Sequence, residues 1–325
     1  MHYPNTIEDI CFEQSHIDQV WQAIAHKMPG YFAKYIEKEG SEHTLTADAA
    51  AALAIHFGSS AKPKSKPKDA NAILKRLIDT AVEEFLDERD AYQEHLDQEA
   101  LTEYGDDVNS FKNTILQHRI PVIRKTLQNK KAKELDKFRA AFVQAAPGDL
   151  FRATQNIVNK ANEWRSEWYD EASFPKIGTA EELDYFDLDG EEHTVFGVIG
   201  GGIKSHFLFR LFPEMFPYRS REAVWALYFL SGKKAFGCSQ DSEFLMINAK
   251  ENTTQQNYFY PYALFAFYAL RLYQHLRSLY ATHQVIIPEG YRFVVVDSFL
   301  SFVARQHQKE TDLLKQNAQN LHYDY

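Results

Sequence analysis

Apolar residues recur at helical spacing along most of this chain. In the first 58 residues Ile17, Val20, Trp21, Ile24 and Ala25 lie on one helical face, and the alanine-rich stretch TADAAAALAIHF follows, which predicts a small helical unit over 1–58. From Asn71 a second stripe, Leu74, Leu77, Ile78, Ala81, Val82, Phe85 and Leu86, predicts a long helix running to about Leu101. After a turn at Gly105 the pattern resumes with Leu116, Ile120, Ile123, Leu127, Leu135, Phe138 and Phe142, an arm begun or kinked at Pro121. A further helix is expected from Asp149 to Glu171, and FPKIGT then breaks the periodicity.

Beyond that break the chain is rich in aromatic residues. ELDYFDLDGEEHTVFGVI sets Asp-Gly between two β-prone runs, the signal of a hairpin. FLMIN (244–248) and YRFVVVD (291–297) are candidate strands, and the second could equally enter the helix after it. PYALFAFYALRLYQHLRSLYA is apolar nearly all round behind Pro261, as expected of a central buried helix. The fold class is therefore mainly α. A long charged helical hairpin precedes an aromatic-rich, mostly helical C-terminal domain with minor β structure. The expected units are 1–58, a linker at 59–70, a helical domain at 71–174 and a C-terminal domain at 175–325.

Composition adds limits. With 325 residues, 45% hydrophobic and 14% aromatic, the chain can bury a core despite 25% charged residues, and its length makes more than one domain the default. Its start lacks a basic segment followed by an apolar one, and no apolar run approaches the roughly 18 residues of a membrane span. A cytoplasmic protein is expected. Cys11 and Cys238 are far apart and lack a CxxC partner, which supports neither a disulfide framework nor a cysteine zinc site.

The formal net charge is −9, so a nucleic acid would need a local basic surface. Lys62, Lys64, Lys66 and Lys68 alternate with proline and serine in an extended, solvated linker. The first arm of the hairpin is acidic (Asp79, Glu83, Glu84, Asp87, Glu88) and the second basic (Arg119, Arg124, Lys125, Lys130, Lys131, Lys133, Lys137, Arg139). Attraction between the arms accounts for the pattern, while a nucleic-acid surface on the basic arm or a docking arm for a protein partner remain open.

The segment VIGGGIKSHFLFRLFPEMFPYRSREAVW is the most informative. Gly200 and Gly202 precede a helix expected from about Ile203, with Lys204 and Ser205 in its first turn, and free amides at such a position favour an anion. Neither GxxxxGK[ST] nor GxGxxG is present. Across about residues 198–212 these residues resemble the helix-hairpin-helix DNA-binding motif, in which glycine, a hydrophobic residue, glycine, any residue, lysine and serine or threonine follow one another. Gly200, Gly202, Lys204 and Ser205 match, Gly201 stands at the hydrophobic position, and His206 replaces the usual small residue. The resemblance implies backbone amides holding a DNA phosphate. Some members are base-excision glycosylases with a downstream catalytic aspartate, which FPYRSREAVW does not supply. Ile203, Arg210, Arg219 and Arg221 complete the candidate DNA-binding set, consistent with DNA processing or phage defence.

A second constellation, Asp241, Glu243 and Lys250, brackets a candidate strand. Carboxylates that hold Mg²⁺ beside a lysine are the parts of a metal-dependent nuclease, and Mg²⁺ is the cofactor that reading requires. Asp297 is either a buried catalytic acid or a helix cap. Tyr258, Tyr260 and Tyr262 either stack bases or fill the core.

Overall fold

The computed structural model describes residues 7–56, 69–238, 243–248, 253–256 and 260–320. Nearly all of the Lys/Pro linker lies outside these residues, as do Asp241, Lys250 and Tyr258. The chain is mainly helical. Helix α1 (Gln14–His56) buries Ile17, Val20, Ile24, Met28, Phe32 and Tyr35, which recur three or four residues apart and therefore line one face.

The acidic arm expected to run unbroken to Leu101 is divided into α2 (Ala70–Leu86), α3 (Arg89–Leu96) and α4 (Gln98–Tyr104). Asp97 explains one break: its backbone is extended and its side chain accepts the Ala100 N–H at 2.7 Å, so it ends one helix and caps the next. The basic arm is divided as well. Asp107 caps α5 (Val108–Ser110), which widens into a π-helix over Phe111–Arg119. Pro121 opens α6 (Pro121–Gln128), followed by α7 (Asp136–Gln144) and α8 (Pro147–Glu167). The expected attraction between the arms is present in part, as an ion pair from Lys125 to Glu88 at 2.5 Å.

The Asp-Gly segment is not a β-hairpin. After α9 (Ala180–Leu183) it forms two 3₁₀ turns, Phe186–Asp189 and Glu191–His193, and ends in a single bridge between Val195 and Ile199. Asp189 is held away from a two-residue turn because its carboxylate accepts the N–H groups of Tyr262 and Ala263 at 2.8 and 3.1 Å. Helices α10 (Gly201–Leu211) and α11 (Arg221–Leu230) follow. FLMIN does form a strand: β1 (Leu245–Asn248) pairs antiparallel with β2 (Thr253–Gln256), Leu245 opposite Gln256.

Helix α12 (Tyr262–Thr282) buries every residue from Tyr262 to Leu270, then Leu272, Tyr273, Leu276 and Tyr280. YRFVVVD enters α13 (Arg292–Gln306), where buried residues on all faces select the helix over a strand, and α14 (Gln308–Asn320) follows. Helices α1 and α13 pack on α12, and α11 packs on α1 and α13. The boundaries expected near residues 58, 70 and 174 do not divide the core. Buried residues of α1, α2, α8 and the C-terminal helices belong to one hydrophobic cluster, because the apolar stripe of α1 is covered by the C-terminal helices. Among the described residues no helix is long and apolar enough to cross a membrane.

Phe265→Ala, at a fully buried site on α12, is expected to lower unfolding free energy by about 3–5 kcal/mol in urea titrations. Phe196→Ala, 91% exposed, should change it by less than about 0.5 kcal/mol.

Candidate functional site

The glycine turn is built on the Val195–Ile199 bridge. Gly197 has φ +77°, and a Cβ there would lie 2.8 Å from the Cβ of Ala141, so the turn rests against α7. Gly200 is the extended N-cap of α10, and no side chain caps the helix. Gly200 and Gly202 are exposed, with nothing within 4 Å of a Cβ built on either. The close approach is at Gly201 instead, where a Cβ would stand 2.7 Å from Nη1 of Arg219. Gly201 stands where the helix-hairpin-helix motif has a hydrophobic residue. Its role is to admit a guanidinium beneath the helix start.

The cations assigned to this turn lie inward. Lys204 is buried and its Nζ donates to the carbonyl of Leu188. Arg219 is buried, and burial lowers its pKa to about 10 against the opposing pull of Asp189. Burial also lowers the pKa of Lys204, again opposed by Asp189. Ser205 is fully buried: its Oγ donates to the Gly202 carbonyl and accepts the Arg219 N–H, both at 3.1 Å.

Arg210 is directed elsewhere. It donates to the Phe85 carbonyl, lies over the Phe85 and Tyr92 rings and pairs with Glu88 at 3.8 Å. Ile203 is half-buried, and Arg221 is exposed on α11. The structure therefore brings Gly200, Gly202, Lys204, Ser205 and Arg219 together and leaves Arg210 out. Of the expected set, Gly200, Gly202 and Arg221 are exposed.

A second cluster lies at the start of α1. Glu243, expected to hold Mg²⁺ from an exposed strand edge, is 2% exposed. Its Oε1 accepts the hydroxyls of Tyr260 and Tyr268 at 2.6 and 2.9 Å, and its Oε2 is 2.7 Å from His16 Nε2. Tyr260 and Tyr262 are fully buried too, so they fill the core and do not stack bases. Beside this network the Sγ atoms of Cys11 and Cys238 are 3.7 Å apart, 227 positions apart in sequence. Burial and the negative charge of Glu243 push the Cys11 thiol above the usual thiol range. The two cysteines form no disulfide, and the fold nevertheless brings them side by side. No sequence signal joins them, because they come from a 3₁₀ turn before α1 and the loop after α11.

Asp297 lies within α13 and caps nothing. One of its carboxyl oxygens is buried without a hydrogen-bond partner among the described residues. Burial raises its pKa to about 7, assisted by Glu222 and opposed by Arg210. His206 is buried nearby, its ring 4.6 Å from that of Tyr218, and burial with Arg210 lowers its pKa to about 3.

Comparison with family models, with curated proteins and with solved structures finds no match to this chain.

The two shifted groups act in opposite directions. Between pH 3.8 and about 7 the unfolded chain ionises Asp297 while the folded protein keeps its proton, so this residue lowers stability as pH rises through that window. At about 1.4 kcal/mol per pH unit the upper limit is about 4 kcal/mol. His206 instead removes stability as pH falls from 6.5 toward about 3. Urea midpoints should therefore show that Asp297→Asn gains stability relative to wild type on going from pH 5 to pH 8. The acid-side loss due to His206 should remain in both proteins.

Proposed function

We propose that the protein binds the phosphate backbone of DNA at the glycine turn that opens α10. The observation that carries this reading is an uncapped helix start, exposed at Gly200 and Gly202. Two buried cations, Lys204 and Arg219, lie beneath the uncapped N-terminus of an 11-residue helix. Asp189 acts on both, Glu192 acts on Lys204 as well, and Asp189 also caps α12. A helix N-terminus carries about half a positive charge, which favours an anion at Gly200–Gly202. The contact is made by amides, with the cations acting through the turn.

Further cations are available for neighbouring phosphates. Gly197 rests on Ala141, which sets the turn against α7, and Lys131, Lys133 and Lys137 on and before that helix are exposed. Arg221 is exposed on α11. Contacts of this kind read no base sequence, which suits a protein that holds DNA for processing or in phage defence. The setting we assign is the reducing cytoplasm, where two thiols persist without oxidation.

Fluorescence anisotropy with labelled duplex DNA tests the assignment. Binding should weaken linearly with the logarithm of salt concentration. Gly202→Glu adds a carboxylate where a side chain meets nothing and where the helix dipole favours it, so melting temperature should hold or rise. Affinity should fall at least about tenfold, the equivalent of about 1.4 kcal/mol. Absence of binding at about 50 mM salt rejects the proposal.

A further inference from the structure

We infer that Cys11, His16 and Cys238 form a binding site for a thiophilic divalent cation, of which zinc is the representative. The inference is independent of the DNA reading, since the two places share no residue.

One donor atom from each of the three residues lies within 4.8 Å of the other two. Two thiolates bound to tetrahedral zinc at about 2.3 Å each stand about 3.8 Å apart. The Sγ atoms of Cys11 and Cys238 are 3.7 Å apart, so the pair already has the spacing of one edge of such a tetrahedron. A disulfide needs about 2.0 Å, and the two sulfurs are well outside it.

The surroundings are those a metal-binding histidine requires. His16 Nε2 is engaged by the Glu243 carboxylate at 2.7 Å, which leaves Nδ1 as the nitrogen for the cation. Glu243 is in turn fixed by the hydroxyls of Tyr260 and Tyr268, both on its other oxygen. A carboxylate holding the far nitrogen of a ligating imidazole sets its tautomer and orientation, and here that carboxylate is itself held. Glu243 thus belongs behind the site. With two sulfurs and one nitrogen the donor set selects zinc over Mg²⁺, which prefers six oxygens.

Entry is provided from outside. A polar groove lined by Ile10, Glu13, Ser15, His16 and Gln19 opens on His16, and an adjoining one along Gln19, Gln22, Phe236 and Gly237 runs to the residue before Cys238. Cys238 is half-buried in that loop while Cys11 is buried. Three protein donors leave one tetrahedral position, open to water or to a group arriving through the groove. On binding, each protonated thiol gives its proton to solvent and its sulfur lone pair to the cation.

The test uses full-length protein, reduced and freed of metal by a chelator, titrated with Co²⁺ and then Zn²⁺. The expected result is near-ultraviolet sulfur-to-cobalt charge transfer with tetrahedral visible bands, saturating at one Co²⁺ per chain and bleached by Zn²⁺. Cys238→Ser, in a surface loop and so the safer variant for folding, should reduce the charge-transfer intensity by about half, one of two thiolates being lost. Glu243→Gln should keep the bands and weaken zinc affinity about 10- to 100-fold. Circular dichroism establishes that each variant is folded. Folded, reduced wild type without charge-transfer bands overturns the inference, as do bands undiminished in Cys238→Ser. So does protein purified under reducing conditions that titrates no free thiols, because the pair is then a disulfide.

Discussion

The rest of the structure depends on the burial of α12. A 21-residue helix with buried residues on every face cannot lie on a surface, so other elements must cover it on all sides. That requirement draws α1 from one end of the chain and α13 from the other against the same helix, and it is why a single core crosses the boundaries suggested by sequence. At about 25 cal/mol per Å² of apolar surface removed from water, large aromatic side chains such as Phe265, Phe267 and Tyr268 contribute more here than any polar contact can.

Covering α12 leaves its polar atoms to be satisfied inside, and both candidate sites follow from how this is done. At its N-terminus the amides of Tyr262 and Ala263 take Asp189 as a cap, and the same carboxylate opposes the charges of Lys204 and Arg219 beneath the glycine turn. Two turns further along, the Tyr268 hydroxyl donates to Glu243, which orients His16 beside the two cysteines. A buried hydroxyl or amide without a partner costs about 1–3 kcal/mol. The carboxylates that meet this need also bring charge into the interior, next to the groups whose chemistry they then control.

What the sequence disclosed, and what it hid, divides along the same line. Periodicity is a local property, so the stripe of α1, the all-round burial of α12 and the start of α10 were legible. Breaks made by single side chains were not, since nothing in the run from Ala70 to Tyr104 says that Asp97 will accept the Ala100 amide and end a helix. Asp-Gly signals a hairpin only when Asp is free to enter the turn, and here α12 claims it. The glycine turn is legible, but proximity in sequence does not show that Lys204 and Arg219 turn inward, since lysine and arginine are seldom buried. The Cys11–Cys238 approach was beyond reach, as it exists only once α1 and the loop after α11 share a core.

The three consecutive glycines show most directly why packing and function must be separated residue by residue. At Gly201 a Cβ would stand 2.7 Å from the Arg219 guanidinium, so any side chain there requires that buried group to shift. Gly200 and Gly202 meet nothing within 4 Å, and neither has a positive φ, so neither sterics nor backbone strain requires glycine there. Gly200, at the N-cap, forgoes a serine or aspartate cap at a cost of about a few tenths of a kcal/mol. What these two residues do provide is an exposed helix start without side chains, next to the buried Lys204 and Arg219. Packing therefore accounts for Gly201 but not for Gly200 and Gly202, whose lack of a side chain leaves the helix start uncovered.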